Sequence, residues 1–269
     1  MSEYSMDEVM TVATSTFIRD GYTVFIGTGL PMVAAYLAKA THAPGCALLF
    51  ESGVLAPEPR SIAKAVGDPR LVSTARRVSG MGDSLLLLHG GRVDLGVLGC
   101  AQIDPFGNVN TTVIGPGGYF HPTTRLPGSG GANDIASTAR HHAIVTRHTR
   151  RTFVERLDYL TTPGHLTGPG AREAAGLPGG GPVGVVTDLC VFGFDEATKE
   201  MVLRSLHPGV SLDDVRAATG FDVAVPRDLG RTPEPTAEQL SVLRTRIDPE
   251  GVYLKQPAAR RAAEPQMER

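Results

Sequence analysis

The sequence contains no tryptophan, three cysteines and only 6% aromatic residues among 269 positions. Cys46, Cys100 and Cys190 are odd in number and widely separated, without a Cys-x-x-Cys pair or Cys/His spacing. They therefore signal neither a disulfide framework nor a zinc site, and no metal is expected. They read as small core residues of a reducing compartment. The chain lacks an unbroken apolar run of about 18 residues, so no transmembrane helix is expected. Met1 to Glu8 carries acidic residues and no apolar stretch, which argues against a signal peptide there. Twenty-six basic and 28 acidic residues leave a net charge of -2. That balance provides no strong field for nucleic acid or an anionic membrane. The expectation is a soluble, cytoplasmic protein.

With 41% hydrophobic and 20% charged residues, the chain has enough apolar material for a packed core. Thirty-two glycines and 20 prolines without a collagen period mark many turns. Ser5 and Glu8 have capping-box spacing, and Val9, Val12, Ala13 and Phe17 share one helical face, so a helix is predicted up to Asp20-Gly21. Tyr22 to Ile26 reads as a strand, followed by Gly27-Thr28-Gly29 and a helix opened by Pro31 and running to Lys39. That strand, Gly-x-Gly and helix unit leaves two readings open: a tight turn, or amides that hold an anion or developing negative charge. Met32 stands where a dinucleotide fingerprint needs its third glycine, so a nicotinamide site is not supported.

Ala47 to Phe50 is a buried strand that stops abruptly at Glu51, with Ser52-Gly53 breaking it. A carboxylate there lies at the carboxyl end of a strand, where open α/β sheets build ligand crevices. Glutamate is also a residue type that forms covalent acyl intermediates. The alternative is a solvated strand terminator.

Further along, Ser61 to Val66 reads as a short helix, Gly67-Asp68-Pro69 as a turn, and Ser79 to Asp83 as a turn leading into Leu85–His89. Val93 to Leu98 is a strand. Asp104 to Asn108 is a Pro- and Gly-directed turn, after which Val109–Val113 resumes as a strand. Leu126 to Asp134 is a dense glycine patch, with Asn133-Asp134 positioned to cap a helix over Ile135–Arg140. Gly130, Gly131 and Ala132 bring backbone N–H groups forward without bulky side chains, as an oxyanion hole requires. A flexible surface loop is the other reading.

Ala143–Val145 and Thr152–Val154 are strand-like, separated by the basic turn Arg147–Arg151. Gly164 to Gly181 reads as a long loop or lid. Val183–Val186 and Leu189–Phe194 form a hairpin-like pair, and Met201–Leu206 is another strand. Ser211 and Asp214 open a short helix. Thr236 to Ile247 is the last amphipathic helix. The alternation predicts an α/β fold with an open, largely parallel sheet flanked by helices. One domain is expected over residues 1–256, with a polar, frayed tail at 257–269.

Several of these segments together resemble a known family. Gly27-Thr28-Gly29-Leu30-Pro31, Glu51-Ser52-Gly53, Gly67-Asp68, Ala101 to Asn110, Gly128 to Asn133, Asp158-Tyr159-Leu160-Thr161, Gly168-Pro169-Gly170 and Val186-Thr187-Asp188 occur in family order. They resemble the β subunits of family I coenzyme A transferases and, most closely, those of the glutaconate CoA-transferase type. Each motif alone is weak, whereas the ordered set is specific.

The resemblance implies an open α/β fold, an α subunit that completes the active site, and acyl-CoA and carboxylic acid substrates. It implies no permanently bound cofactor, with the coenzyme A thioester acting as substrate. Glu51 falls at the family's catalytic glutamate, which passes through an acyl-glutamyl anhydride and a glutamyl-CoA thioester. Oxyanion or CoA contacts are expected from Gly130, Gly131 and Ala132, then from Gly27 and Gly29. The scaffold also resembles ring-opening hydrolases of steroid-derived thioesters and decarboxylases with cysteine at the nucleophile position. Glutamate here favours a transferase, leaving an acyl-CoA hydrolase and a catalytically silent subunit as alternatives.

Overall fold

The computed structural model describes residues 4–58 and 61–254. The parts of the Ala56–Arg60 loop at 59–60 and of the tail at 255–269 lie outside the described residues. The first half of the chain contributes α1 (Met6–Ser15), β1 (Thr23–Ile26), α2 (Leu30–Ala40), β2 (Ala47–Phe50), β3 (Val54–Leu55), α3 (Pro69–Val72), β4 (Arg77–Val78), α4 (Met81–His89) and β5 (Leu95–Leu98). Two small ladders follow, β6 (Gln102–Ile103) with β7 (Val109–Asn110), and β8 (Val113–Ile114) with β9 (Thr124–Arg125). Next come α5 (Ala132–Thr138), β10 (His141–Val145), α6 (Ala171–Ala174), β11 (Pro182–Val186), β12 (Cys190–Phe194) and β13 (Met201–Leu206). The described chain closes with α7 (Leu212–Ala218), β14 (Gly230–Arg231), α8 (Ala237–Val242) and a π-helical turn at Leu243–Ile247.

The main sheet has ten strands in the order β14-β13-β12-β11-β10-β5-β1-β2-β3-β4. Its centre, from β2 to β11, is parallel, whereas β3, β4, β12 and β13 join antiparallel neighbours. The sheet is therefore largely parallel, as the alternation of elements predicts. Strand periodicity divides its core between two faces. Val24, Ile26, Leu48 and Phe50 pack with α1 and α2 residues such as Val12, Val33 and Leu37. Phe25 and Leu49 point the other way and pack with Leu88, Ile135 and Ala136. A second large cluster surrounds Phe153, Phe192 and Leu203.

Several boundaries differ from the sequence expectations. Helix α1 does have the Ser5–Glu8 capping box, but ends at Ser15, where the Thr14, Ser15 and Thr16 hydroxyls donate to main-chain carbonyls three or four residues back. Ser61–Val66 is not helical. Asp68 instead accepts from the Lys64 and Arg70 amides and caps α3, with Pro69 in its first turn. The Ser79–Asp83 segment already contains the start of α4. Asn110 breaks the expected Val109–Val113 strand because its side-chain oxygen accepts from the Thr112 and Val113 amides. Thr152–Val154 contributes only a bridge from Phe153 to Ile103. The Gly164–Gly181 segment contains α6 and is fastened down by buried Arg172, which donates to the carbonyls of Ala136, Gly164 and Gly179. It is a strapped segment, not a lid.

Candidate active site

Glu51 follows the last residue of β2 and lies at the carboxyl end of the parallel sheet. Gly53 donates to the Phe50 carbonyl at 2.9 Å, closing a tight turn before β3 returns antiparallel. Gly53 has φ +93°, and a Cβ there would come within 2.2 Å of the Ser79 carbonyl oxygen. Only glycine fits this close approach. Ser52 Oγ donates to Val66 O at 2.6 Å, while buried Ser84 Oγ donates to Glu51 O at 2.9 Å and to Met81 O at 2.8 Å. The Glu51 backbone is thus held by side chains from both flanking segments. Its half-buried side chain remains accessible.

Alternation along β2 puts Leu49 on the α5 face, and the Glu51 side chain continues on that side. There it meets the glycine loop. A Cβ built on Gly131 would lie 3.4 Å from Glu51 Cδ and 3.5 Å from Oε1, and one on Gly130 would lie 3.9 Å from Oε2. Gly128 and Gly130 have positive φ, +96° and +49°, which lets the loop turn back before α5. Neither the Gly130 nor the Gly131 amide donates to another group among the described residues. Ala132 opens α5 immediately afterwards, with Gly131 as the N-cap, and its own amide donates to Ser129 O at 2.9 Å. Asn133 does not cap this helix as predicted. Its side-chain amide donates to Thr161 O at 2.7 Å.

The parallel register pairs Ile26 with Phe50, which sets Gly27 beside Glu51 in the next row. Gly29 serves a different local role. It is the N-cap of α2 with φ +91°, and its carbonyl accepts from the Met32 and Val33 amides at 3.1 and 3.2 Å. The structure therefore brings Gly130 and Gly131 against the Glu51 carboxylate and Gly27 alongside it. Gly29 caps α2, two residues further along the chain from Gly27.

Two further features support the site, and only the second has a signal in the sequence. Ser84 reads as one polar residue in an apolar helix, yet it is fully buried and bonded to the Glu51 carbonyl. The Gln102–Asn110 segment, part of the Ala101–Asn110 motif, brackets the Asp104–Asn108 turn. Asn110 donates to Gln102 Oε1 at 2.7 Å, and Gln102 donates to Asp158 at 3.1 Å. Thr112 and Thr161 hydroxyls meet at 2.6 Å, while the Thr111 and Thr112 carbonyls accept from Gly128 and Leu126. This network fixes the base of the glycine loop. Its sequence signal is that these residues fall in the Ala101–Asn110 and Asp158–Thr161 motifs.

The other reactive residue types sit in less reactive settings. Burial pushes the Cys100 and Cys190 thiols up to about 12, and it also raises Cys46, so these groups favour the protonated form. Burial lowers His148 and His165 to about 4 and His142 to about 3, keeping their rings neutral at pH 7. Among the described residues no group of three or more His, Cys, Asp or Glu side chains is arranged to hold a metal, and no helix is long and apolar enough to cross a membrane. Four clefts stand out on the described surface, and neither Glu51 nor Gly130 or Gly131 lines any of them.

Residues 8–218 match the family model described as coenzyme A transferase. The chain is 42% identical over 245 residues to the β subunit of 3-oxoadipate CoA-transferase from Pseudomonas knackmussii, covering 91% of this chain and 94% of that protein. It is 39% identical over 263 residues to the β subunit of glutaconate CoA-transferase from Acidaminococcus fermentans, covering 95% and 97% of the two chains. The crystal structure of glutaconate coenzyme A-transferase from that organism superposes with a TM-score of 0.86 at 38% identity, over 94% of this chain and 98% of the other. The cholesterol ring-cleaving hydrolase IpdB subunit of Mycobacterium tuberculosis is more distant, at 31% identity over 250 residues, or 91% and 95% of the two chains. The extent of the family match and the two transferase relatives, on a sheet that carries Glu51 at its carboxyl edge, make this chain a member of the coenzyme A transferase family.

Proposed function

We propose that this chain is the β subunit of a heteromeric CoA-transferase, with Glu51 as the covalent nucleophile. The observation that carries the assignment is the approach of Gly131 and Gly130 to the Glu51 carboxylate, with both amides unengaged among the described residues. A carboxylate, a thioester and fixed N–H donors suffice for repeated acyl transfer without ATP.

In the first half-reaction, a Glu51 carboxylate oxygen attacks the acyl-CoA carbonyl and the C–S bond breaks. This releases CoA thiolate and leaves an acyl-glutamyl anhydride. The thiolate attacks the glutamyl carbonyl, expelling the first carboxylate and forming a glutamyl-CoA thioester. A second carboxylate then attacks that thioester and releases CoA thiolate again. Attack of the thiolate on the second acid's acyl carbonyl gives the new acyl-CoA and restores Glu51. Each tetrahedral intermediate places negative charge on an oxygen that needs N–H donors. Gly130 and Gly131 are the proposed source, with Gly27 as a second contributor. Ala132, whose amide is engaged by Ser129 O, and Gly29, which serves as the α2 N-cap, have less support.

The two similar transferase β subunits are named for 3-oxoadipate and glutaconate, both dicarboxylates. Dicarboxylic acids are therefore the acceptor class to test first. Both of these relatives are CoA-transferases, which does not favour hydrolysis. The complex with its α subunit should acquire a CoA adduct on the Glu51 peptide when incubated with an acyl-CoA, as read by mass spectrometry. Adding a dicarboxylate should discharge the adduct as a new acyl-CoA appears. Free CoA accumulating without an adduct would support hydrolysis, and an active Glu51→Gln enzyme would support a silent-subunit role.

A further inference from the structure

The glycine loop that meets Glu51 is fastened at both ends to one residue. At its base, Leu126 and Gly128 donate to the Thr112 and Thr111 carbonyls, each at 2.9 Å. Thr111 and Thr112 are tied in turn to Thr161, whose hydroxyl accepts from the Thr111 amide at 3.0 Å and meets the Thr112 hydroxyl at 2.6 Å. At the head of the loop, Asn133 donates its side-chain amide to Thr161 O at 2.7 Å. Ser137, further along α5, donates to Asn133 Oδ1 at 3.4 Å, which keeps Nδ2 turned towards Thr161. Thr161 is itself buried, and its amide donates to Val109 O at 3.0 Å, so the anchor stands on β7.

Only Ser129 to Ala132 lies between the base and the head, and that stretch contains the two glycines against the Glu51 carboxylate. Glycine has more backbone freedom to lose than any other residue, and Gly130 already takes φ +49°. The Gly130 and Gly131 amides make no bond of their own among the described residues, so their direction is set by the ends of the loop. That direction matters, because N–H donors stabilise a developing oxyanion only when they are aimed beforehand. A displacement of about 1 Å can cost about 10²-fold in rate. The other ties on α5 act elsewhere or weakly. Arg172 grips Ala136 O, deeper in the helix, and the Asp134–His89 pair at 3.0 Å is open to solvent.

We propose that Thr161 is the positioning residue of the acyl-transfer site, aiming the Gly130 and Gly131 N–H groups at the reacting oxygen by holding both ends of their loop on one anchor. The inference rests on the oxyanion reading above and adds what makes those donors rigid. The Thr161 hydroxyl secures the base through Thr111 and Thr112, and its carbonyl secures the head through Asn133. The same donors serve every tetrahedral intermediate, so a slack loop slows both half-reactions.

The test is steady-state kinetics of the full chain co-purified with its α subunit, with succinyl-CoA as donor and 3-oxoadipate as acceptor. Thr161→Val keeps the shape and removes the hydroxyl. It should lower kcat by roughly 30-fold while KM for the thioester stays within about twofold. Thr161→Ser keeps the hydroxyl and should return kcat to within about threefold of wild type. Asn133→Ala, at an exposed position, should lower kcat by roughly tenfold. Combining Thr161→Val with Asn133→Ala should cost less than the product of the two losses, since both loosen one loop. His89→Ala should leave kcat unchanged. Urea midpoints identify a variant that is merely unfolded, and if Thr161→Val does not fold, Asn133→Ala decides by itself.

Rates near wild type in both variants, losses carried by KM instead of kcat, or a Thr161→Ser enzyme as slow as Thr161→Val would each overturn the proposal. So would a double variant that loses the full product, because the two residues would then act separately. The Glu51-CoA adduct in the wild-type complex reads the chemistry independently. An adduct combined with normal variant rates would reject the positioning role alone. Free CoA accumulating in the wild type without an adduct, at a rate that falls in Thr161→Val and recovers in Thr161→Ser, would reject the transferase chemistry and keep the positioning role, because thioester hydrolysis draws on the same N–H donors.

Discussion

The two glycine-rich segments, Leu126–Gly131 and Gly164–Gly181, use the same residue for opposite purposes. In the second, the missing side chains permit close backbone packing. A Cβ on Gly164 would fall 2.2 Å from the Gly107 carbonyl carbon, and one on Gly179 would fall 2.4 Å from Ala139 O. Arg172 consumes the nearby carbonyls, and the Gly179 amide donates to Ser137 O at 3.0 Å. The first segment instead leaves the Gly130 and Gly131 amides unengaged beside a carboxylate. Glycine density thus marks where the backbone comes close to something. Whether that neighbour is the protein itself or a reacting group depends on the fold. The two segments are also linked, since Arg172 supports α5 through Ala136 O, and the glycine loop runs directly into that helix.

The comparison makes predictions of decreasing size. Glu51→Gln should reduce CoA transfer by roughly 10³-fold or more while leaving the unfolding midpoint near wild type, because the neutral amide cannot form the anhydride. Parallel initial-rate and urea titrations test both halves, and a rate within about tenfold of wild type would remove Glu51 from the mechanism. Arg172→Ala should act in the opposite sense and lower stability by about 3 kcal/mol, because several buried carbonyls lose their donor. An unchanged urea midpoint would show that the strapped segment contributes little.

Two alanine substitutions make the contrast more direct. Gly164→Ala should destabilise the fold by about 2 kcal/mol or more, since its methyl group meets backbone. Gly131→Ala should instead fold normally, because φ is -77° and the new contacts begin at 3.4 Å. It should lower the transfer rate by roughly tenfold through crowding at the carboxylate. Equal stability losses for the pair would dissolve the distinction between packing and site glycines.

A final prediction is a pH dependence of stability set by buried histidines, one of which, His165, lies in the strapped segment. Burial depresses His165 to about 4, with Lys199 and Arg172 adding to the lowering, while the Pro182 carbonyl and Glu173 oppose it. His148 is likewise lowered to about 4 and His142 to about 3, both chiefly by burial. The unfolded chain therefore binds more protons than the folded one once pH drops below the ordinary histidine value of about 6.5. Their stability contribution is fully present above that value and is lost progressively as pH falls towards about 4. Urea midpoints measured between those limits should decline, and His165→Asn should flatten the slope by removing one of the three contributing rings. A level profile would mean that these rings gain protons without penalty.

Much of this architecture is legible locally. The apolar run Ala47–Phe50 announces β2 because a strand buried on both faces needs no polar alternation. The spacing of Ser5 to Glu8, Ser211 to Asp214 and Thr236 to Gln239 corresponds to three capping boxes, each formed within a few residues. Met201–Leu206 also reads as a strand with the observed limits. Ser61–Val66 departs from its helical pattern because the Asp68 side chain, four residues from Lys64, takes that segment's amide into a turn. Asn133 has the composition of a cap and the position of a strut, because its actual acceptor, Thr161 O, is distant in sequence.

The sequence by itself determined the strand that presents Glu51, the glycines that permit sharp backbone turns, and the alternation of elements that builds a parallel sheet. These depend on periodicity and local backbone sterics, which act over a few residues. Only the tertiary structure decided that Gly131, 80 positions from Glu51, meets its carboxylate, that Ser84 holds the Glu51 carbonyl, and that the Tyr253 hydroxyl reaches Ala63 O. It also decided that Arg172 turns the second glycine-rich segment into a strap. The physical reason is that hydrogen bonds and side-chain contacts act over a few ångströms of space, and chain distance carries no record of which segments the sheet order brings together.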